Sequence, residues 1–153
     1  MDWMVKRFLL AALGLTVWIS PIEAQHDRID AEVQRVLSQI VQIRHEIHAN
    51  PELGNREFET AALVSEYLRE LGFEDIRTGV AHTGVVAVLR GGRPGPVVAV
   101  RADMDALPVT EDTDLAFAST KRTIYLGQYV GIMHACGHDI HTAVQLGVAA
   151  VLK

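Results

Sequence analysis

The chain has 153 residues, of which 49% are hydrophobic and 22% are charged, and this balance excludes a disordered polymer. Its 14 Lys and Arg residues against 19 Asp and Glu residues give a net charge of −5. Because the basic residues do not cluster, this charge argues against a nucleic-acid partner. The single cysteine excludes an intrachain disulfide.

Residues 1–24 are predicted to be a secretory signal peptide. Lys6 and Arg7 give a basic start, Phe8–Ile19 is an apolar run, and Ala24 offers a small residue at the cleavage site. The run is too short to cross a bilayer as a helix, which takes roughly 20 residues. We therefore expect cleavage after Ala24, no stable membrane span in the mature chain, and an exported protein that is periplasmic or secreted.

Two helices are predicted in the first half of the mature chain. Ile29–Asn50 has apolar residues at spacings of three and four, and it ends before Pro51 because a proline drives the preceding residue out of the helical region. Glu57–Leu71 also carries apolar residues on one face, and Gly72 provides its stop.

Short β-branched runs follow these helices. Gly84–Arg90 and Val97–Arg101 are predicted strands, and the Gly- and Pro-rich residues 91–96 between them favour a hairpin. Because both runs are apolar on both faces, we expect helices to cover them on each side. Thr110–Gly131 has no clear pattern and stays unassigned, whereas Asp139–Leu152 is predicted to be helical. Together these elements predict an α/β domain.

The segment 133–141, MHACGHDIH, is the densest group of chemically active residues. It contains thiol, imidazole and carboxylate groups, which are the usual ligands of zinc and related ions. Cys136 and His138 would point to the same side of an extended segment, and Gly137 would let the backbone approach an ion. The segment therefore predicts a metal site. The alternatives are a structural cysteine beside chance histidines and a cysteine nucleophile activated by His138 or His141.

Further carboxylates bear on this site. Asp103 and Asp105 follow the second apolar run, and functional groups collect where the strands of open α/β sheets end. Either carboxylate could ligate a metal or orient a ligand histidine, and the alternative is a polar turn closed by Pro108. Asp139 would lie at the start of the last helix, where the helix dipole favours a carboxylate.

His45 and His48 are interpreted as a half-exposed structural pair. A zincin helix needs histidines four residues apart, and these are three apart, so that motif does not match. The sequence also has no phosphate-binding loop and no Gly-x-Ser-x-Gly, and it therefore gives no support to nucleotide or serine-hydrolase chemistry.

Three segments together resemble the N-terminal part of the aminoacylase/carboxypeptidase family of metallopeptidases. They occur in the family's order and are 44–53 (RHEIHANPEL), 100–108 (VRADMDALP) and 133–143 (MHACGHDIHTA). The resemblance runs from about Ile29 to Lys153 and favours the amidohydrolase branch of hippurate hydrolases, N-acyl-amino-acid amidohydrolases and auxin-conjugate hydrolases. His48 and Glu52 match a family motif that we interpret as structural. The resemblance implies a central sheet flanked by helices, and a later lid or dimerisation domain through which a homodimer could form.

The resemblance also implies two divalent ions, Mn²⁺ or Zn²⁺, with Cys136 and His138 as ligands and the Cys136 thiolate between the ions. Asp105 matches an aspartate that supports a metal ligand. Asp139 and His141 lie beside the ligands and are weaker candidates for supporting them.

The implied reaction is hydrolysis of the amide bond of an N-acyl amino acid or a peptide-like substrate. The general base of the family belongs to a Glu-Glu pair, which is missing from this sequence, and so are its later histidine ligands. We therefore expect residues 25–153 to be the N-terminal portion of a catalytic domain that lacks the lid domain. This portion would be inactive alone and active in the full-length protein. The alternative is an exported, non-catalytic metal-binding remnant.

Overall fold

The computed structural model describes residues 21–153. Its elements in chain order are α1 (Pro21–Ala49), α2 (Phe58–Glu70), β1 (Asp75–Val80), β2 (Gly84–Val88), β3 (Arg122–Tyr125), β4 (Gln128–Gly131) and α3 (His138–Leu152). Most of the predicted signal peptide lies outside the described residues, so its cleavage stays a prediction. Within residues 21–153, no helix combines the length and apolar character needed to cross a membrane.

All three predicted helices are confirmed, and α1 is longer than expected at its N-terminus. The described part of α1 extends back to Pro21, beyond the predicted start at Ile29. Residues 22–35 are exposed, and burial begins at Val36. The predicted apolar stripe began at Ile29, but the residues of α1 that pack begin only at Val36.

Gly72 ends α2 as the sequence predicts. Its φ of +81° is left-handed, a conformation that glycine adopts without steric cost. The backbone N–H of Phe73 then donates to the carbonyl of Leu68 at 3.0 Å, and the N–H of Gly72 donates to that of Arg69 at 2.8 Å. This turn directs the chain from α2 into β1.

The core lies where α1, α2 and α3 meet. Its buried residues are Ile43, Ile47, Val64, Tyr67, Leu68, Phe73 and Leu146. Leu146 of α3 is among the most completely buried side chains of the described chain. Because α1 also packs along α3, the core fixes the position of α3, which carries the predicted metal motif at its start.

The predicted hairpin between residues 84–90 and 97–101 is wrong. β2 instead pairs antiparallel with β1, from Asp75 opposite Val88 to Val80 opposite Gly84. The connection is very short, so this pairing costs less loop-closure entropy than one across the Gly- and Pro-rich turn. Residues 97–101 join no strand of the described chain, and Val97 is 99% exposed, so the expected cover by helices is also wrong there. The α/β class itself is confirmed, with two sheets of two strands each in the described residues.

A second hairpin lies inside the stretch that the sequence left unassigned. β3 and β4 pair from Arg122 opposite Gly131 to Tyr125 opposite Gln128, and the turn residues Leu126 and Gly127 both have positive φ. Two positive φ values in a two-residue turn suit the twist of a hairpin. The hairpin signal is weak in the sequence because only one of the two turn residues is a glycine.

Single backbone bridges hold the segment that carries Asp103 and Asp105. On one side, Ala106 donates its N–H to the carbonyl of Glu52 at 2.7 Å. On the other side, Leu107 exchanges backbone hydrogen bonds of 3.0 and 3.1 Å with Met133. This second bridge brings the acidic segment beside the start of α3.

Glu52 has contacts that agree with a structural role. Its carboxylate accepts the backbone N–H groups of Glu59 at 3.0 Å and Thr60 at 2.8 Å, in the first turn of α2. A carboxylate is favoured there because it satisfies free N–H groups and complements the helix dipole.

Truncation of Leu146 tests the position of the core. We expect Leu146→Ala to lower the free energy of unfolding by about 2–5 kcal/mol, because it leaves a cavity between the helices. Urea titration followed by circular dichroism measures this change. Leu126→Ala is the matched control at a side chain that is 85% exposed, and it should change stability by less than about 0.5 kcal/mol. Equal losses in the two variants would contradict the core described above.

Candidate metal centre

Three side chains with metal-ligating atoms come together at the start of α3. A carboxylate oxygen of Asp103 and ring nitrogens of His138 and His141 lie within 4.8 Å of one another. His138 and His141 are three residues apart in α3 and therefore share one face of the helix, with ring centroids 5.4 Å apart. Two imidazoles and one carboxylate are a donor set that suits a divalent ion.

His138 is held in one orientation by Asp105. Its Nδ1 lies 2.9 Å from the carbonyl oxygen of Asp105 and 3.0 Å from the carboxylate Oδ1 of the same residue. Because both oxygens only accept, Nδ1 carries the hydrogen, and Nε2 keeps a free lone pair at neutral charge. This is the arrangement in which a carboxylate orients a ligand histidine and makes it more basic. The contact supports the role expected of Asp105.

Asp103 is fixed to α3 through its backbone. The hydroxyl of Thr142 donates to the carbonyl oxygen of Asp103 at 2.9 Å. The Asp103 carboxylate lies beside the exposed guanidinium of Arg101 and has one oxygen 3.7 Å from Nε2 of His138. Asp103 was predicted to ligate or to orient, and this distance places its carboxylate where it can reach an ion bound at Nε2.

Cys136 does not join this group. It is exposed, and the cluster of ligand atoms is formed without it. The expectation of an extended segment is wrong, because the N–H of Gly137 closes a turn onto the carbonyl of His134 at 3.2 Å. Gly137, with a φ of +77°, then begins α3. A turn does not place side chains two residues apart on one side, so the role of Cys136 as a ligand stays a prediction.

Asp139 has no exposed surface. It forms hydrogen bonds to α1 and not to the metal-type group, by which we mean Asp103, His138 and His141. Its Oδ2 accepts hydrogen bonds from Nε of Arg44 at 2.7 Å and from Nδ1 of His48 at 2.8 Å. Burial of an ionised carboxylate is tolerated only with such donors. Asp139 therefore connects the metal motif to α1.

His48 is buried, so the interpretation of His45 and His48 as a half-exposed pair is wrong for His48. Its Nε2 lies 3.1 Å from Oε1 of Glu111, and His45 instead stacks on Phe117 with ring centroids 3.8 Å apart. The two histidines do not share a site. Glu111 was missed because it lies in the stretch without a sequence pattern, and Arg44 was noticed only as part of a family motif.

Glu111 is held in its ionised form. Burial raises its pKa, but hydrogen bonds from Thr113, from the backbone of Ser119 and from His48 outweigh burial, and the pKa is lowered from its ordinary value. The N–H of Ser119 donates to Oε2 at 2.5 Å, and the hydroxyl of Thr113 donates to Oε1 at 2.7 Å. A negative charge therefore faces His48 on each side.

His134 is a buried imidazole whose two ring nitrogens have no hydrogen-bond partner among the described residues. Burial lowers its pKa to about 4, against the opposing influence of the Asp139 carboxylate. His134 is therefore neutral near pH 7. The sequence drew attention to its motif and gave no signal that this histidine is enclosed.

Comparison with known proteins bears directly on this centre. Residues 99–153, which contain the acidic segment and α3, match the model of Peptidase family M20/M25/M40. Residues 99–153 therefore correspond to part of an M20-type peptidase domain. The resemblance drawn from the three sequence motifs is thereby confirmed.

Relatives and a solved structure extend the match toward α1. Thermostable carboxypeptidase 2 of Saccharolobus solfataricus is 46% identical over 127 residues, which are 82% of this chain and 30% of that protein. N-acetyl-L-cysteine deacetylase of Bacillus subtilis is 47% identical over 115 residues, 75% of this chain and 26% of that protein. The structure of Bacillus subtilis YxeP, a dinuclear metal-binding M20 peptidase, is 40% identical with a TM-score of 0.66, over 80% of this chain and 31% of that one. The chain thus spans about 30% of the length of such relatives.

Neutralisation of Asp105 tests its support of His138. We expect Asp105→Asn in the full-length protein to weaken Mn²⁺ binding about 10–100-fold, because the charge that makes His138 more basic is lost. Competition with a fluorescent chelator measures the affinity. Asp114→Asn, the same change on an exposed loop, should leave it unaltered. Unchanged affinity in Asp105→Asn, or an equal loss in both variants, would contradict the role of Asp105.

The buried His134 predicts a pH dependence of stability in the metal-free protein. A histidine in the unfolded chain titrates near 6.5, whereas the pKa of His134 in the fold is about 4. As the pH falls from 6.5 to about 4, the unfolded state takes up the proton before the folded state does. The free energy of unfolding therefore decreases over this interval, by about 3 kcal/mol in total.

Urea unfolding at pH 7, 5.5 and 4 measures this loss. His134→Gln should lose less stability over the interval than the unaltered protein does, and His26→Gln, an exposed control on α1, should behave like the unaltered protein. The same pH slope in His134→Gln would contradict the prediction.

Proposed function

We propose that the full-length protein is a metal-dependent hydrolase that cleaves the amide bond of N-acyl amino acids. The observation that carries this proposal is the orientation of His138 by Asp105, with Asp103 and His141 in reach of the same point. The similarity to a deacetylase of an N-acetylated amino acid supports the substrate class. The similarity to a dinuclear metal-binding peptidase supports two divalent ions, for which we propose Mn²⁺ or Zn²⁺.

The donor set fits such ions. His138 offers a free Nε2, Asp103 a carboxylate and His141 a second imidazole, while the exposed Cys136 thiol is the further ligand that we propose from the resemblance. Bound divalent ions polarise an amide carbonyl and lower the pKa of water near neutrality.

The contribution of this chain is to hold ligands in place. Asp105 keeps the hydrogen of His138 on Nδ1, and Thr142 ties the segment of Asp103 to α3. The chain contains no Glu-Glu pair to supply the general base expected from the resemblance. We therefore propose that these residues are inactive alone and act within the full-length protein.

Two further properties are proposals from the sequence alone. The signal-like pattern of residues 1–24 supports export to the periplasm or the exterior. The resemblance supports a homodimer formed through a lid domain outside this chain.

A cysteine-nucleophile hydrolase is the weaker proposal. Within residues 21–153, Cys136 forms no hydrogen bond to a histidine, and Nδ1 of His138 is already occupied by Asp105. A nucleophile needs a base within hydrogen-bond reach, so this geometry favours the metal-dependent reaction.

Activity of the full-length protein tests the proposal. With Mn²⁺ or Zn²⁺ it should release amino acids from N-acetylated amino acids, lose this activity to a chelator and regain it when the ion is restored. We expect His138→Ala to lower kcat/KM by more than the roughly 10–100-fold that loss of a supporting group costs. His82→Ala is the exposed control.

The alternatives give different outcomes. Metal binding without hydrolysis of any N-acyl amino acid would favour the non-catalytic module. Activity that resists chelators and is lost on thiol alkylation would favour the cysteine nucleophile.

A further inference from the structure

We propose that a buried charge network centred on His48 positions the metal motif, by fixing the carboxylate next to the ligand His138. The network consists of Arg44 and His48 on α1, Asp139 on α3, and Glu111 in the loop that follows the acidic segment. The part of this inference that concerns hydrolysis rests on the proposed function. The part that concerns metal binding does not rest on the proposed reaction.

Asp139 connects the network to the metal-type group. It directly follows His138 in the first turn of α3 and is completely buried. Its Oδ2 accepts from both Arg44 and His48, which are four residues apart and therefore on one face of α1. A shift or rotation of the first turn of α3 would leave a buried carboxylate without donors, and such a state is strongly unfavourable.

His48 extends the network to the other side. Its Nδ1 is 2.8 Å from Asp139 and its Nε2 is 3.1 Å from Glu111. Because ionised carboxylates only accept, both contacts are made only when each ring nitrogen donates a hydrogen. One side chain therefore ties α1 to both α3 and the loop of Glu111.

Phe117 closes this loop over α1. Its ring stacks on His45 at 3.8 Å, lies 4.7 Å from the guanidinium carbon of Arg44 and meets His48 edge-on at 5.4 Å. Ser119 in turn donates its N–H to Glu111. The loop therefore covers the network and restricts the movement of its charged groups.

The consequence is that His138 is held at two points. Asp105 fixes its ring, and the network fixes the backbone beside it through Asp139. A ligand positioned by only one of these contacts would have to be ordered when the ion binds, which weakens affinity. Arg44 and His48 are thus positioning residues for an ion that they do not touch.

Binding of Mn²⁺ alone to the metal-free, full-length protein tests the proposal. Calorimetry on His48→Gln and Asp139→Asn should give dissociation constants about 10–100-fold weaker than that of the unaltered protein. The double variant should be no weaker than the weaker single variant, because both changes break one network. In turnover, kcat should fall while KM for the N-acyl amino acid stays unchanged.

Glu57→Gln is the matched control. Glu57 is also a buried carboxylate, and it accepts a hydrogen bond from Thr83 at 2.5 Å outside the network. Its neutralisation should lower stability without changing Mn²⁺ affinity. Equal loss of Mn²⁺ affinity in Glu57→Gln and Asp139→Asn, both folded, would show a purely structural role and overturn the proposal.

A milder variant keeps the test decisive if Asp139→Asn does not fold. Arg44→Lys keeps the charge but loses the Nε donor, and we expect it to weaken Mn²⁺ binding in the same direction by a smaller factor. Unaltered Mn²⁺ affinity in both Arg44→Lys and His48→Gln would overturn the proposal.

The two proposals fail separately. Weakened Mn²⁺ binding in the variants of a protein that hydrolyses no N-acyl amino acid would support the positioning network and reject the proposed reaction. Hydrolysis with unaltered Mn²⁺ affinity in the variants would do the reverse.

Discussion

The enclosed carboxylate of Asp139 is the constraint on which the arrangement at the start of α3 depends. Its charge has no access to solvent, so donors inside the protein must balance it. Arg44 and His48 are these donors, and they fix the register between α1 and α3 at one end of the helix pair. Leu146 fixes the same pair through apolar packing further along α3. Together these contacts leave His138 little freedom.

The metal-type group joins segments that are far apart in the sequence. Asp103 and Asp105 reach α3 because one backbone bridge joins Leu107 to Met133 and a hydroxyl joins Thr142 to Asp103. Each bond is small in energy, with a net value of about 1 kcal/mol. These weak bonds are sufficient because the helix packing already holds the acidic segment close to the start of α3. The acidic segment is thereby oriented toward α3 although it belongs to no regular strand.

Local signals predicted much of this structure, and tertiary contacts account for what they missed. Amphipathic periodicity predicted the three helices, and ligand chemistry singled out His138 and Asp105, which the structure places in hydrogen-bond contact. The predicted strand pairing was wrong because a β-branched run indicates that a segment is extended but does not indicate which strand it pairs with. The prediction that Cys136 and His138 lie on one side of an extended segment was wrong, because the chain forms a turn there. His48 was underestimated because its carboxylate partners are distant in the sequence and its burial depends on helix packing.

A crystal structure of the full-length protein grown with Zn²⁺, with the ions located by anomalous scattering, tests whether His138 is a metal ligand held by Asp105. We predict an ion about 2.1 Å from Nε2 of His138, a usual Zn–N distance, while Nδ1 stays hydrogen-bonded to Asp105. We also predict that the Asp139 carboxylate keeps its hydrogen bonds to Arg44 and His48. An ion bound through Nδ1 of His138, or ions located only away from the start of α3, would contradict the proposed metal site.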